Sequence, residues 1–187
     1  MKLKFPSSSL VLSIALLTAF GGFRAMAEAP ADGVLLDFET DFEPSRVTAQ
    51  QTTSEVIDQN GGHALKINFT TAKGYPAAHI AAPPGGWDLS KYKGVEAEIT
   101  NAGNTALKVA LRVDNAGDWS KGPWNTESVM LKPGDTKVLQ VVFGQSYGGN
   151  KGFDLDPSQI IRVVFFAENP GEEAAITVDN IKGFDPK

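Results

Sequence analysis

Residues Gly86–Asn115 read GWDLSKYKGVEAEITNAGNTALKVALRVDN, and this stretch decides the fold class. After a Trp-Asp-Leu-Ser turn, apolar and polar side chains alternate along Val95-Glu96-Ala97-Glu98-Ile99. Alternation with period two marks a strand with one buried and one open face. Asn101–Thr105 then reads as a hairpin turn, with Gly103 free to take positive φ. Leu107, Val109, Leu111 and Val113 line one face of a second strand, and Lys108, Ala110, Arg112 and Asp114 line the other. The two strands are predicted to share an antiparallel sheet whose open face carries groups able to hold a polar ligand.

The same pattern extends outward in both directions. Short strands are expected at Val34–Phe38, Ala64–Phe69 and Tyr75–Ala81, with a weak polar edge strand over Thr48–Ile57. Downstream, strands are expected at Ser128–Leu131, Thr136–Phe143, Ile161–Ala167 and Ala174–Phe184. Ile161–Ala167 is almost continuously apolar, as a buried central strand should be. Asp118–Asn125 and Gln145–Asp156 read as loops, and Pro157–Ile160 as one helical turn. Roughly eight to ten short strands with turn signals between them indicate an all-β antiparallel sandwich of the jelly-roll type.

The N-terminus has the layout of a targeting segment. Lys2 and Lys4 precede the apolar run Leu10–Phe20, and Ala25-Met26-Ala27 has the form of a cleavage site. Residues 1–27 are therefore expected to be a signal peptide cleaved after Ala27, and residues 28–32 a disordered tail. Residues 33–187 are expected to form one domain, exported to the periplasm or medium, with no membrane span. Removing Lys2, Lys4 and Arg24 takes the formal charge from −5 to −8. An acidic domain argues against nucleic acid as a partner. The chain has no Cys, which excludes disulfides, thiol catalysis and thiolate metal sites.

Few residues carry candidate chemistry. His63 and His79 lack metal-ligand spacing, and no nucleophile elbow or phosphate loop is present. Glu96 and Glu98 share one strand face about 6–7 Å apart, near the separation of glycosidase carboxylates. Any two acids so spaced on a strand do this, and the pair reads as a solvated face. Asp37, Glu39 and Asp179 lie near strand ends, either as ordinary surface acids or as oxygen ligands for calcium. Sugar recognition needs flat apolar rings beside hydrogen-bonding groups. Trp119 and Trp124 share a loop directly after Arg112, Asp114 and Asn115, and these five form the candidate ligand site. Trp87 reads instead as a buried anchor of the sandwich edge. Tyr75, Tyr147 and Phe153 stand on loops that could line the same end.

The order of segments resembles a galactose-binding-like carbohydrate-binding module, in particular the non-catalytic N-terminal module of exo-β-agarases. The resemblance rests on Leu35–Glu39, Gly62–Ile67, Gly86–Tyr92, Leu111–Asn115, Leu131–Asp135 and Val178–Ile181. It implies a β-jelly roll without catalysis that binds a polysaccharide or oligosaccharide. It also implies a structural calcium near the first and last strands, where Asp37, Glu39 and Asp179 match. Such modules are joined to a polysaccharide-degrading enzyme, whereas this chain stops at Lys187; a free-standing version is expected to be either a periplasmic or secreted glycan-binding protein or a scaffold whose ancestral pocket is lost. The alternatives are a small jelly-roll glycoside hydrolase or lyase, and a protein-interaction or adhesion domain using the same sheet face.

Overall fold

The computed structural model describes residues 32–39, 42–71, 73–171 and 174–186. The expected leader and nearly all of the expected tail lie outside the described residues. Two antiparallel sheets pack face to face. One has the order β3 (Thr52–Gln59), β4 (Gly62–Phe69), β13 (Ala175–Pro186), β6 (Tyr92–Asn101), β9 (Thr136–Val142), with β1 (Val34–Leu36) also paired to β13. The other has the order β2 (Val47–Gln50), β5 (Ala77–Ala81), β12 (Arg162–Ala167), β7 (Leu107–Asp114), β8 (Trp124–Leu131). The short ladder of β10 (Gln145–Ser146) with β11 (Asn150–Lys151) stands apart. Among the described residues the only helical pieces are single 3-10 turns at Pro44–Arg46 and Pro157–Gln159.

Alternation fixes which faces meet. Leu107, Val109, Leu111 and Val113 of β7 are all buried, as are Val95, Ala97 and Ile99 of β6 and Val163, Phe165 and Ala167 of β12. Burying each larger apolar side chain contributes about 1.5–3 kcal/mol, so these inward rows dominate the stability. Trp87 is buried as expected; its backbone bridges Ile160, donating to and accepting from that residue. The helical turn at Pro157 is present, and Asp156 caps it by accepting from the Ser158 backbone N–H at 3.0 Å.

Two local expectations need correcting. Asn101–Thr105 is not a hairpin. Strand β6 pairs with β13 and β9 in one sheet, and β7 pairs with β12 and β8 in the other. The segment therefore carries the chain across the sandwich. Asn101 secures the crossing, donating Nδ2 to the carbonyls of Thr105 and Leu131 and accepting from Gly103 N–H. Gly103 is not among the residues at positive φ. The second correction concerns Thr48–Ile57, which is two strands. Gln51 takes a left-handed φ of 55° and sends β2 into one sheet and β3 into the other.

Candidate functional site

The outward face of the five-stranded sheet is set by register. One row across it runs Trp124, Asp114, Arg162, Ala81; the next runs Thr126, Arg112, Val164, His79, Thr48; a third runs Ser128, Ala110, Phe166, Ala77, Gln50. Ala77, Ala81, Ala110 and Ser128 keep the floor low. Taller side chains rise on either side of them.

One side is aromatic. The rings of Trp124 and Phe153 meet edge-to-face with centroids 4.9 Å apart, and Tyr147 stands edge-on to Trp124 at 6.3 Å. Trp124 donates its indole N–H to the Trp119 carbonyl at 2.6 Å, which fixes the ring plane. Toward the far corner, exposed Tyr75 packs edge-on against Phe166 at 6.4 Å. Strand spacing puts Trp124 and Phe166 roughly 16 Å apart across the face.

Charge lies between the two aromatic groups. Asp114 is only 2% exposed. Its oxygens accept from Arg112 Nε at 2.8 Å, Arg112 Nη2 at 2.9 Å and Arg162 Nε at 2.6 Å. The Arg112 guanidinium also stands over the Trp124 ring, 5.9 Å from its centroid. On β5, half-buried His79 has its pKa lowered, first by burial and then by Arg162 and Arg112, against a smaller opposing pull from Asp114. Its imidazole is therefore neutral near pH 7.

The sequence-predicted residues divide in this setting. Arg112 and Trp124 stand together on the face. Trp119 is 65% exposed, and it orients Trp124 through its carbonyl. Asp114 is almost fully buried, and its two oxygens accept three bonds from Arg112 and Arg162; it aligns the two arginines. Asn115 has its side-chain amide engaged by the fold. It is 8% exposed, donates Nδ2 to the Asp156 and Gln159 carbonyls, and accepts from Asp156 N–H. It ties the end of β7 to the Pro157 turn. Arg162, His79 and Phe166 share this face and are not among the five candidate ligand residues read from the sequence. Arg162 opens a strand that reads as buried and apolar, and its partner Asp114 lies 48 positions away.

Other charged groups stand elsewhere. Glu96 and Glu98 belong to the six-stranded sheet, where Glu96 accepts from Gln140 at 2.7 Å and pairs with Lys182. Asp37, Glu39 and Glu98 surround Asp179 closely enough to raise its pKa, although burial is the larger cause. Glu39 is already engaged by His63, accepting from its backbone N–H at 2.8 Å and lying 3.1 Å from ring Nδ1. Among the described residues, no group of three or more His, Cys, Asp or Glu is arranged to hold a metal ion. A recess of about 340 Å³ beside β1 is lined by Val34–Phe38, Phe42 and Arg46. Its one cation, Arg46, is held by the Ala81 carbonyl through Nε and Nη2. The outward sheet face, with its arginines and its two aromatic groups, is the stronger candidate site.

Comparison with known proteins places this architecture. A solved exo-β-agarase superposes with a TM-score of 0.62 at 18% identity, covering 83% of this chain and 25% of its own. A second agarase gives 0.60 at 12% identity, covering 82% and 26%. The family 11 carbohydrate-binding module from Clostridium thermocellum, solved with a β-1,3-1,4-mixed-linked tetrasaccharide, gives 0.59 at 16% identity, covering 82% and 95%. The chain thus spans about a quarter of the agarases and nearly all of the isolated module. No curated protein matches it by sequence. The family model for the agarase CBM-like domain matches residues 37–135, more than half of the chain, and the protein belongs to that family.

Proposed function

We propose that the protein binds a polysaccharide or oligosaccharide across the outward face of the five-stranded sheet and does not cleave it. The observation that carries this reading is the combination on one face of edge-packed Trp124, Tyr147 and Phe153 with the Arg112–Arg162 pair. Rings stack on pyranose C–H groups, and guanidinium N–H groups pair hydroxyls. The family 11 module, with a comparable sandwich, was solved holding an oligosaccharide. Titration calorimetry against agarose, mixed-linked β-glucan, xylan and pectin oligosaccharides tests the proposal. Heat with at least one of them, lost in Trp124→Ala, is expected. Silence with every glycan refutes it.

Non-catalysis is part of the proposal. Glu96 and Glu98, the acids with glycosidase-like spacing, stand on the other sheet, and Asp114, on the aromatic face, is held by two arginines. Reducing-sugar release by the wild type, abolished in Glu96→Gln, would overturn that part. Export through residues 1–27 belongs to the proposal too, and N-terminal sequencing of the secreted protein tests it, with Glu28 as the expected first residue. Calcium beside Asp37, Glu39 and Asp179 is a separate proposal that rests on the resemblance, since these acids are not arranged to hold a metal ion as they stand. Binding would have to draw Glu39 away from His63. A melting temperature raised by calcium and lowered by EDTA is its expected sign; no response to either refutes it.

A further inference from the structure

The outward face holds a cluster whose charges do not cancel. Asp114 is one carboxylate between two guanidiniums. Arg112 takes it in a bidentate fork, the strong geometry for such a pair, and that neutralises one cation. Arg162 reaches the same carboxylate through Nε alone. Its Nη1 and Nη2 have no partner among the described residues, and its side chain is 30% exposed. Among the described residues, Asp114 is the one carboxylate paired with Arg112 or Arg162. His79 is neutral, Lys108 is paired with Glu168, and Asp118 with Lys121. Val164, beneath the cluster, is almost fully buried. One net positive charge therefore sits half-desolvated on a chain whose formal charge is −5.

We propose that Arg162, aligned by Asp114 and backed by Arg112, is an anion subsite that selects an acidic saccharide, binding the carboxylate of a uronate or a sulfate ester while a neighbouring ring stacks on Trp124. This rests on the carbohydrate-binding reading above. A guanidinium fork matches both oxoanions, whereas a neutral hydroxyl leaves the positive charge uncompensated. The Nε bond to Asp114 holds the fork still before any ligand arrives, so little side-chain entropy is lost on binding. Trp124 beside Arg112 places a stacking surface next to the charge.

The test titrates the full chain with neutral agarose and mixed-linked β-glucan oligosaccharides, polygalacturonate oligosaccharides and sulfated galactan oligosaccharides of equal length, at low and high salt. The acidic sugars should bind about tenfold or more tighter than the neutral ones, the low end for a charge-assisted pair, and salt should narrow the gap. The polygalacturonate and sulfated arms show which oxoanion is preferred. Arg162→Gln should erase the preference, lowering affinity for the acidic sugars far more than for the neutral ones; Arg162→Lys, which keeps the charge and loses the fork, should fall between. Equal affinity for neutral and acidic sugars, or a preference unchanged in Arg162→Gln, overturns the inference and leaves carbohydrate binding standing. No heat with any sugar overturns both.

Discussion

Asp114→Ala is the most telling change to the folded state. The carboxylate is almost fully buried and accepts three hydrogen bonds between 2.6 and 2.9 Å from two arginines. Its removal leaves two guanidiniums side by side with no counter-charge. Breaking a buried pair by deleting one partner costs about 3–5 kcal/mol. Arg112 and Arg162 keep 16% and 30% of their side-chain surface in water, which relieves part of the repulsion and points to the lower figure, about 3 kcal/mol. For a domain of this size that is a fall in Tm of roughly 6–12 °C. Arg162→Ala removes one charge-assisted bond and leaves the Arg112–Asp114 fork intact, so it should cost about 1.5 kcal/mol. Urea unfolding of both variants, with the slope unchanged and the midpoint lowered, is the assay. The reasoning fails if Asp114→Ala stays within 0.5 kcal/mol of wild type, or if Arg162→Ala costs as much as Asp114→Ala.

Asn115→Ala should lower stability by about 2–4 kcal/mol, because two carbonyls and one N–H lose their partner, while any glycan affinity measured below the melting transition stays unchanged. Gly86→Ala should cost about 2 kcal/mol or more by urea unfolding, since its φ is +87° and a Cβ would lie 2.8 Å from the Ile160 carbonyl oxygen. His79 has a folded pKa below its unfolded value of about 6.5, so the unfolded chain takes up a proton first as the pH falls. Its contribution is intact above about pH 6.5 and is lost as the pH drops from there through the folded pKa. His79→Gln should flatten that part of a Tm-against-pH curve, and an unchanged slope would contradict the assignment.

Strands whose inward rows are purely apolar were legible. Leu107–Val113 and Ile161–Ala167 sit where their side-chain pattern put them, since burial of one face is a local signal with period two. Strand β8 was read from Ser128, yet it begins at Trp124. Its first inward position is Asn125, fully buried and held by the Trp124 and Phe153 carbonyls and by Gly144 N–H. A buried amide satisfied by a distant loop breaks the apolar alternation and hides the strand. Sheet membership was less legible still. Asn101–Thr105 has hairpin composition, but the partners of β6 and β7 are chosen by contacts with β12 and β13, remote in sequence. For the same reason the candidate face was only partly legible. Arg112 and Trp124 stood out beside each other, while Arg162, His79 and Phe166 reach the face only through cross-strand register.

A heteronuclear NMR titration of the labelled protein with an oligosaccharide it binds tests the central claim most directly. Backbone shifts should concentrate at Ala110–Asp114, Arg162–Phe166, Tyr75–His79 and Trp124, the outward rows of the five-stranded sheet and their aromatic flanks. Shifts gathered instead on Glu96, Glu98 and Lys66 of the other sheet, or around Asp37 and Asp179, would contradict it.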